Sequence, residues 1–400
     1  MEFSVIGITD APRPCFTPDV VGIIRGAKLF SGGRRHHQIV APLLPPDAVW
    51  TDITVPLDDV FRRYASLCSA FGVGHIVVFA SGDPLFFGFA NTIRKKMPEA
   101  AVRLFPAFNS LQMLAHRMVL PYHDMKTVSL TGRPWKEFDR ALIEREAKIG
   151  VLTDHEHTPA AIAERMMEYG YTDYRMTVGE CLGHPSGERV RSMAPDEAAA
   201  TTFGHPNCLI LVASRALPPR PYGIPDHAFS LLDGRERMIT KMPVRLLSLQ
   251  AMELYRRAVL WDIGFCTGSI SVEARLQFPH LDITAFEVRP EGMQLMRDNS
   301  RKFGTPGISV SIGDFLYTDI SGLPRPDAVF IGGHGGRLEA VMEKVLTVLQ
   351  PGGCLVMNSV TPQSRQLFGD ACSRLGLRQQ PSLHISINDY NPIDILKATR

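Results

Sequence analysis

Asp262, Glu287 and Asp314 each stand where a short apolar run gives out, and glycines lie between the first two. Asp262 follows the run Ala258 to Trp261 and opens the stretch WDIGFCTGSIS, residues 261 to 271. Glu287 closes the run in AFEVRPEG, nineteen residues after Gly268, and Asp314 ends the following run in IGDF. Gly264 and Gly268 permit a tight turn that brings backbone N–H groups and a helix start near Ser269 against a ligand. An acid at the spacing of Glu287 accepts hydrogen bonds from ribose hydroxyls. Together these residues predict a site for a nucleoside cofactor, with glycines that serve only tight turns as the plain alternative. Where a central glycine is expected, Cys266 stands, which predicts a thiol turned aside or a slightly wider turn.

A second group is basic. FSGGRRHH, Phe30 to His37, places Arg34, Arg35, His36 and His37 on a glycine-hinged loop. Guanidinium groups bind carboxylates through two parallel hydrogen bonds, so this loop is a candidate substrate contact; a solvated basic face is the alternative. Adjacent histidines on a strand point to opposite faces, and neither His36-His37 nor His155-x-His157 has a third ligand at a useful spacing, so no metal site is expected. In FIGGHGG, His334 projects from Gly332, Gly333, Gly335 and Gly336. It is a candidate contact to a substrate carboxylate, with an exposed loop histidine as the other reading. Seven cysteines are scattered without a C-x-x-C pair, which predicts reduced thiols.

For these groups to act, strands must end at them. Ahead of Ser214 the runs FSVIGI, HIVVFA, AVRLFP, KTVSL, IGVLT, YRMTVGE and CLILVAS alternate with helical patterns. That alternation predicts α/β layers with largely parallel strands. Ser81, Gly82 and Asp83 follow one such run, and Pro84 predicts the first turn of a helix. After Phe229 the runs AVLWDIG, DITAFEV, GISVSIG, DAVFIGG, GGCLVMNSV and PSLHISI alternate with helices such as EGMQLMRDNSRKF. Between the halves, SRALPPRPYGIPDHAF is dense in proline, which interrupts both helix and sheet. The expected organisation is a first domain over 1–215, a linker over 216–229 and a second domain over 230–400.

Composition narrows the function classes. With 45% hydrophobic and 21% charged residues, the chain is ordinary for a folded soluble protein. No apolar run approaches the roughly 20 residues of a membrane span, so no membrane partner is expected. A formal charge of +2 without a broad basic face argues against nucleic acid as a partner. MEFSVIGITD lacks the parts of a signal peptide, and the cytoplasm is the expected location.

The glycine turn and its spaced acids resemble the S-adenosylmethionine-dependent methyltransferase fold rather than a dehydrogenase, whose turn must leave room for a pyrophosphate. SGDPLFFG, Ser81 to Gly88, resembles the S-G-D-P-x-F-Y-G loop of the tetrapyrrole methylase family. FSGGRRHH, LTDHEHTP and VGECLG resemble the members of that family that methylate precorrins during corrin-ring synthesis. The G-x-G-P-G loop usual on the first strand is absent, and Gly7-Ile8-Thr9-Asp10 stands in its place. The resemblance implies an N-terminal tetrapyrrole methylase α/β domain followed by a C-terminal Rossmann-like class I methyltransferase domain. It implies two S-adenosylmethionine sites per chain. Ser81, Gly82, Asp83, Pro84 and Glu180 would serve one, and Asp262, Gly264, Cys266, Gly268, Glu287 and Asp314 the other. A precorrin is the implied substrate, methylated at C5 and C15 with loss of carbon dioxide from an acetate side chain, in the route to cobalamin. His334 is the candidate catalytic residue, and a homo-oligomer is the expected assembly. Two other readings remain: a methyltransferase of RNA or another small molecule, and a chain with one degenerate, regulatory cofactor-binding half. Cys266 and the altered Gly7 to Asp10 loop lend weight to the second of these.

Overall fold

The computed structural model describes residues 1–216, 218–233, 235, 238–388 and 391–400. The chain forms two compact units, one of Met1–Arg133, Ala147–Glu164 and Asp173–Arg215, the other of Pro134–Glu146, Arg165–Thr172 and Ala216–Arg400.

In the first unit, β1 (Glu2–Ile8), β2 (Leu29–Gly32), β3 (Val49–Asp52), β4 (His75–Ser81) and β5 (Ala101–Phe105) form a sheet in the order β3-β2-β4-β1-β5. All its pairings are parallel. Both β1 and β4 are almost wholly buried, as parallel strands covered on two faces must be, and this is why FSVIGI and HIVVFA read as unbroken apolar runs. A second sheet is built from β6 (Lys126–Ser129), β7 (Lys148–Leu152), β8 (Tyr174–Glu180), β9 (Arg189–Met193) and β10 (Asn207–Ala213), in the order β6-β7-β10-β8-β9. Here only β6 and β7 run parallel; β7 with β10, β10 with β8 and β8 with β9 are antiparallel. The expectation of largely parallel strands therefore holds for the first sheet and fails for the second. Residues 181–188 between β8 and β9 are too few for the crossover that a parallel neighbour needs.

The second unit contains β11 (Val259–Ile263), β12 (Asp282–Glu287), β13 (Ile308–Ile312), β14 (Ala328–Ile331), β15 (Cys354–Ser359), β16 (Arg378–Gln379), β17 (Leu383–Ile385) and β18 (Ile393–Thr399). Their order is β13-β12-β11-β14-β15-β18-β16, with β17 also on β18. β11 to β15 are mutually parallel and β18 is antiparallel to β15. The chain moves outward from β11 to β13, then resumes on the other side of β11 with β14 and β15. That reversal opens a crevice at the carboxyl ends of β11 and β14, the place where Rossmann-like sheets hold ligands. Side chains alternate across β11: Val259, Trp261 and Ile263 pack with Phe286, Phe315 and Phe368, while Leu260 packs with Ile283, Phe330 and Val356 on the opposite face.

The proline-rich segment is no free tether. Its Leu217 lies outside the described residues, but Ile224 and Phe229 are buried against Phe265, Val272 and Met296 of the second unit. Ile224 N donates to Glu273 Oε2 at 2.9 Å, and Arg220 Nη1 donates to the Phe303 carbonyl at 2.9 Å. Proline keeps the segment out of a sheet. It does not keep the apolar side chains between the prolines out of the core.

Candidate functional site

At the carboxyl ends of β11, β12 and β14 the second unit encloses a cavity of about 880 Å³ lined by Asp262, Gly264, Cys266, Glu287, Asp314 and His334 among others. Two glycine loops cross to form its floor. Gly264 has φ +76°, and a Cβ there would lie 2.5 Å from Gly333 N, so no other residue fits. Gly268 stands behind the loop at the head of the helix Ser269–Gln277, where a Cβ would press on Met296 at 2.6 Å. Cys266 takes φ +52°, the left-handed backbone that a glycine would adopt. The turn thus keeps its glycine shape around a cysteine, at a cost of roughly 1–2 kcal/mol for an L side chain.

Glu287 ties this loop to β12. Its Oε2 accepts from Cys266 N at 2.8 Å, and its Oε1 accepts from Val288 N at 2.9 Å, Arg289 N at 3.0 Å and Arg289 Nη1 at 3.1 Å. Oε2 keeps a lone pair for a further donor.

Asp262 is not past the strand end, as expected, but inside β11, which continues to Ile263. It has no exposed surface. Ser271 Oγ donates to its Oδ2 at 2.6 Å, and its Oδ1 is buried without a partner. Burial pushes this carboxyl up to about 7. Asp314 lies two residues beyond β13, where Arg337 Nη2 donates to its Oδ2 at 2.6 Å and holds the carboxyl below its ordinary range. His334 follows β14; its Nδ1 is buried without a partner, and burial favours the neutral ring.

Sequence reasoning missed Asn358, near the end of β15 in GGCLVMNSV. It lines the same cavity, its Oδ1 accepts from Ser248 Oγ at 3.0 Å, and its Nδ2 is buried without a partner. The available signal was a lone polar residue at the carboxyl end of a buried strand.

The first unit has its own cavity, of about 470 Å³, lined by residues of both its sheets. Arg35, His36, Ser81 and Gly82 reach it, together with Asp10. Gly82 has φ +59°, and a Cβ there would meet Asn109 Cα at 2.6 Å. The other residues expected here are placed elsewhere. Arg34 to His37 do not lie on a loop but open the helix Arg34–Val40, where successive side chains fan about 100° apart. Arg34 therefore points to solvent with its side chain 85% exposed, 4.0 Å from Asp52, and His37 stacks on Trp50 at 4.2 Å. Pro84 does not begin a helix. The next one spans Phe89–Lys96, because Asp83 Oδ1 accepts from Leu85 N at 2.8 Å and Asn91 Nδ2 donates to the Leu85 carbonyl at 2.7 Å, which holds the intervening residues as turns. Glu180 is bound by Arg191 at 2.9 Å and by Gly204 N at 2.6 Å, tying β8 to its neighbours instead of facing the cavity. His157 pairs with Asp154 and His155 packs on His205. Among the described residues no group of three or more His, Cys, Asp or Glu side chains converges as a metal site.

Comparison with known proteins adds the family. Residues 5–198 match the tetrapyrrole (corrin/porphyrin) methylases, and residues 232–397 match the precorrin methyltransferase domain. The chain is 35% identical over 381 residues to the precorrin-6Y C(5,15)-methyltransferase (decarboxylating) of a Sinorhizobium species, covering 93% of this chain and 88% of that protein. The chain belongs to the precorrin-6Y C5,15-methyltransferase (decarboxylating) family. The member from Mycobacterium tuberculosis is 30% identical over 300 residues, 75% of this chain and 74% of its own. A cobalt-precorrin-6B C(15)-methyltransferase (decarboxylating) of Salmonella typhi is 41% identical over 162 residues, 40% of this chain and 83% of its own. The first family match contains Arg35, His36 and Ser81, and the second contains Asp262, Glu287 and His334. No helix among the described residues is long and apolar enough to cross a membrane.

Proposed function

We propose that this chain methylates a precorrin at C5 and C15 with S-adenosylmethionine bound at two sites, one per unit, and releases an acetate carboxyl as carbon dioxide in cobalamin synthesis. The observation that carries this reading is the pair of separate cavities, each bordered by a glycine with left-handed backbone and each within a methyltransferase family match.

The residues of the larger cavity suit the cofactor. The unpartnered Asp262 Oδ1 is an acceptor for an ammonium group, the free lone pair of Glu287 is an acceptor for a ribose hydroxyl, and Gly264 lets its loop lie directly against Gly333, where any Cβ would clash. When bound, S-adenosylmethionine supplies an electrophilic methyl group. A reduced tetrapyrrole supplies the carbon nucleophile, so the protein contributes chiefly proximity and alignment, worth roughly 7–11 kcal/mol. For decarboxylation the electrons of the breaking C–C bond pass into the conjugated imines of the macrocycle. The chain's part is to orient the carboxylate and exclude water, which raises that carboxylate relative to its charge-dispersed transition state. His334, neutral and with an unpartnered ring nitrogen, is the group we place beside it.

Incubation with a reduced precorrin and labelled cofactor, read by mass spectrometry, is expected to give two added methyls and one lost carboxyl. Calorimetry is expected to count two bound S-adenosylhomocysteine molecules per chain, and a count of one returns the degenerate-half reading. His334→Ala is expected to slow carbon dioxide release more than methylation at C5. Equal rates of release in variant and wild type remove His334 from the mechanism. A cytoplasmic homo-oligomer is the setting we expect, and light scattering reads the assembly.

A further inference from the structure

In the first unit the helix Arg34–Val40 and the end of β4 bring two side chains onto one hydroxyl. His36 Nδ1 accepts a hydrogen bond from Gly33 N at 3.2 Å. A backbone N–H only donates, so Nδ1 carries no proton and the neutral ring has its proton on Nε2. Nε2 lies 2.9 Å from Ser81 Oγ. With the ring proton on Nε2, the serine oxygen can only accept from the ring, sharing that N–H with the Phe79 carbonyl. Arg35 Nη2 donates to the same oxygen at 3.4 Å, while Arg35 Nη1 is held by Asp10 at 3.0 Å. Both lone pairs of the hydroxyl are then filled, and its own proton must point in a third direction. Ser81, His36, Arg35 and Asp10 all line the cavity, and Ser81 is exposed there.

We propose that the Ser81 O–H and the Arg35 guanidinium form a carboxylate receptor in this cavity, and that His36 is the positioning residue that turns the serine proton toward the ligand. The proposal rests on the reading of this cavity as a methyltransferase site. It differs from a basic loop in which His36 itself meets the anion with a positive charge. Burial, with the Arg35 charge acting in the same direction, pushes His36 down to about 4, so the ring is neutral at physiological pH. Asp10 anchors one edge of Arg35 and leaves the other turned to Ser81. The carboxylate is either the amino-acid end of S-adenosylmethionine or an acetate or propionate arm of the precorrin. Both present the same two oxygens to a guanidinium and a hydroxyl.

The test uses the full chain, with S-adenosylhomocysteine and a reduced precorrin as probes. Nitrogen-15 spectra of histidine-labelled protein at neutral pH read the His36 tautomer directly. A protonated Nε2 and a bare Nδ1 are expected, and a protonated Nδ1 overturns the proposal without any variant. Ser81→Ala is expected to weaken one carboxylate ligand by about tenfold or more, the loss that follows when a hydrogen bond to a charged group is removed. If the cofactor's carboxylate is the one bound, the response of the His36 signal to S-adenosylhomocysteine moves to higher concentration. If the substrate's is bound, KM for the precorrin rises while kcat and that response stay unchanged. No change in either measurement overturns the receptor. His36→Gln, which keeps an N–H to offer Ser81, is expected to restore most of what His36→Leu loses; equal loss in both reduces the ring to packing and overturns its positioning role. A wild-type chain that binds no S-adenosylhomocysteine and transfers no methyl instead overturns the reading of the function.

Discussion

In the second unit two atoms that line the cavity, Asp262 Oδ1 and His334 Nδ1, are buried with no hydrogen-bond partner beside the already bonded Glu287 and Asp314, whereas in the first unit Arg35 and His36 are both bonded to Ser81. The contrast follows from architecture. A doubly wound parallel sheet ends its central strands at one edge between covered faces, so a side chain there is stripped of water and burial tunes it. A cleft between two sheets stays open to solvent along its rim, so side chains there are set by each other. Asp262 and His36 show the consequence: burial holds the acid protonated to about 7, while the histidine, which burial also keeps neutral, has its tautomer named by the Gly33 N–H that it accepts.

The largest expected effects come from the glycines at the two floors. Gly264→Ala forces an L side chain into left-handed backbone, about 1–2 kcal/mol, and drives its Cβ against Gly333, for a total on the order of 3 kcal/mol. Urea unfolding should register that loss in the second unit, and calorimetry should lose one S-adenosylhomocysteine site. Gly7→Ala is its counterpart, since a Cβ there would lie 1.9 Å from Gly82 O, and it should cost the other site. If either variant abolishes both sites, the independence of the two cavities is broken.

Next comes Glu287→Ala. It leaves the N–H groups of Cys266, Val288 and Arg289 without their acceptor and removes the proposed ribose contact. Cofactor binding in the second unit should weaken at least about tenfold, from charge-assisted bonds worth about 1.5–3 kcal/mol, with the first unit unaffected. Calorimetric titration showing equal weakening at both sites would count against the assignment.

Asp262 gives a pH signature. Its folded value of about 7 lies above its ordinary 3.8, so the native state retains a proton that the unfolded chain releases. The stability it contributes is complete below about pH 4 and is lost as pH rises through about 7, by at most on the order of 4 kcal/mol. Asp262→Asn should flatten that slope in denaturation curves taken across the window. An ammonium group pairs with the ionised carboxylate, so wild-type affinity for S-adenosylhomocysteine at this site should rise over the same window. A flat affinity profile would separate Asp262 from the ammonium.

The smallest effect is expected from Arg34→Ala, a side chain 85% exposed and 4.0 Å from its nearest acid, where a change within about twofold in precorrin KM is in line with surface ion pairs. Arg35→Ala, one residue on, should raise KM or weaken the cofactor far more. Equal effects from the two would return FSGGRRHH to a solvated basic face.

Much of this was legible in the sequence, and the failures share a cause. The runs that became β1, β4 and β11 were readable because strands buried on both faces are largely apolar, and β13 because ISVSI alternates apolar with polar residues. β2 and β3 were not, since LFSG and VWTD each break into small or polar residues after two apolar ones, and β2 runs straight into the basic FSGGRRHH. Glu287 and the glycines of 264 and 268 were placed at one turn by spacing alone, because a strand, a tight turn and a helix start are local geometry. Glu180 was misplaced because its partners, Arg191 and Gly204, belong to an antiparallel hairpin and a loop that no local pattern announced.

By itself the sequence determined the two α/β halves, the glycine turn around Gly264, and the family to which the motifs belong, all of which are written in spacings of a few residues. Only the tertiary structure decided which charges are used. Whether Asp262 is ionised, which proton His36 keeps, and why Arg35 and not Arg34 lines the cavity depend on burial and on partners brought from distant positions such as Asp10, Ser81 and Ser271. Charge in a folded chain is set by the water removed and the neighbours supplied, and neither is a property of the residue alone.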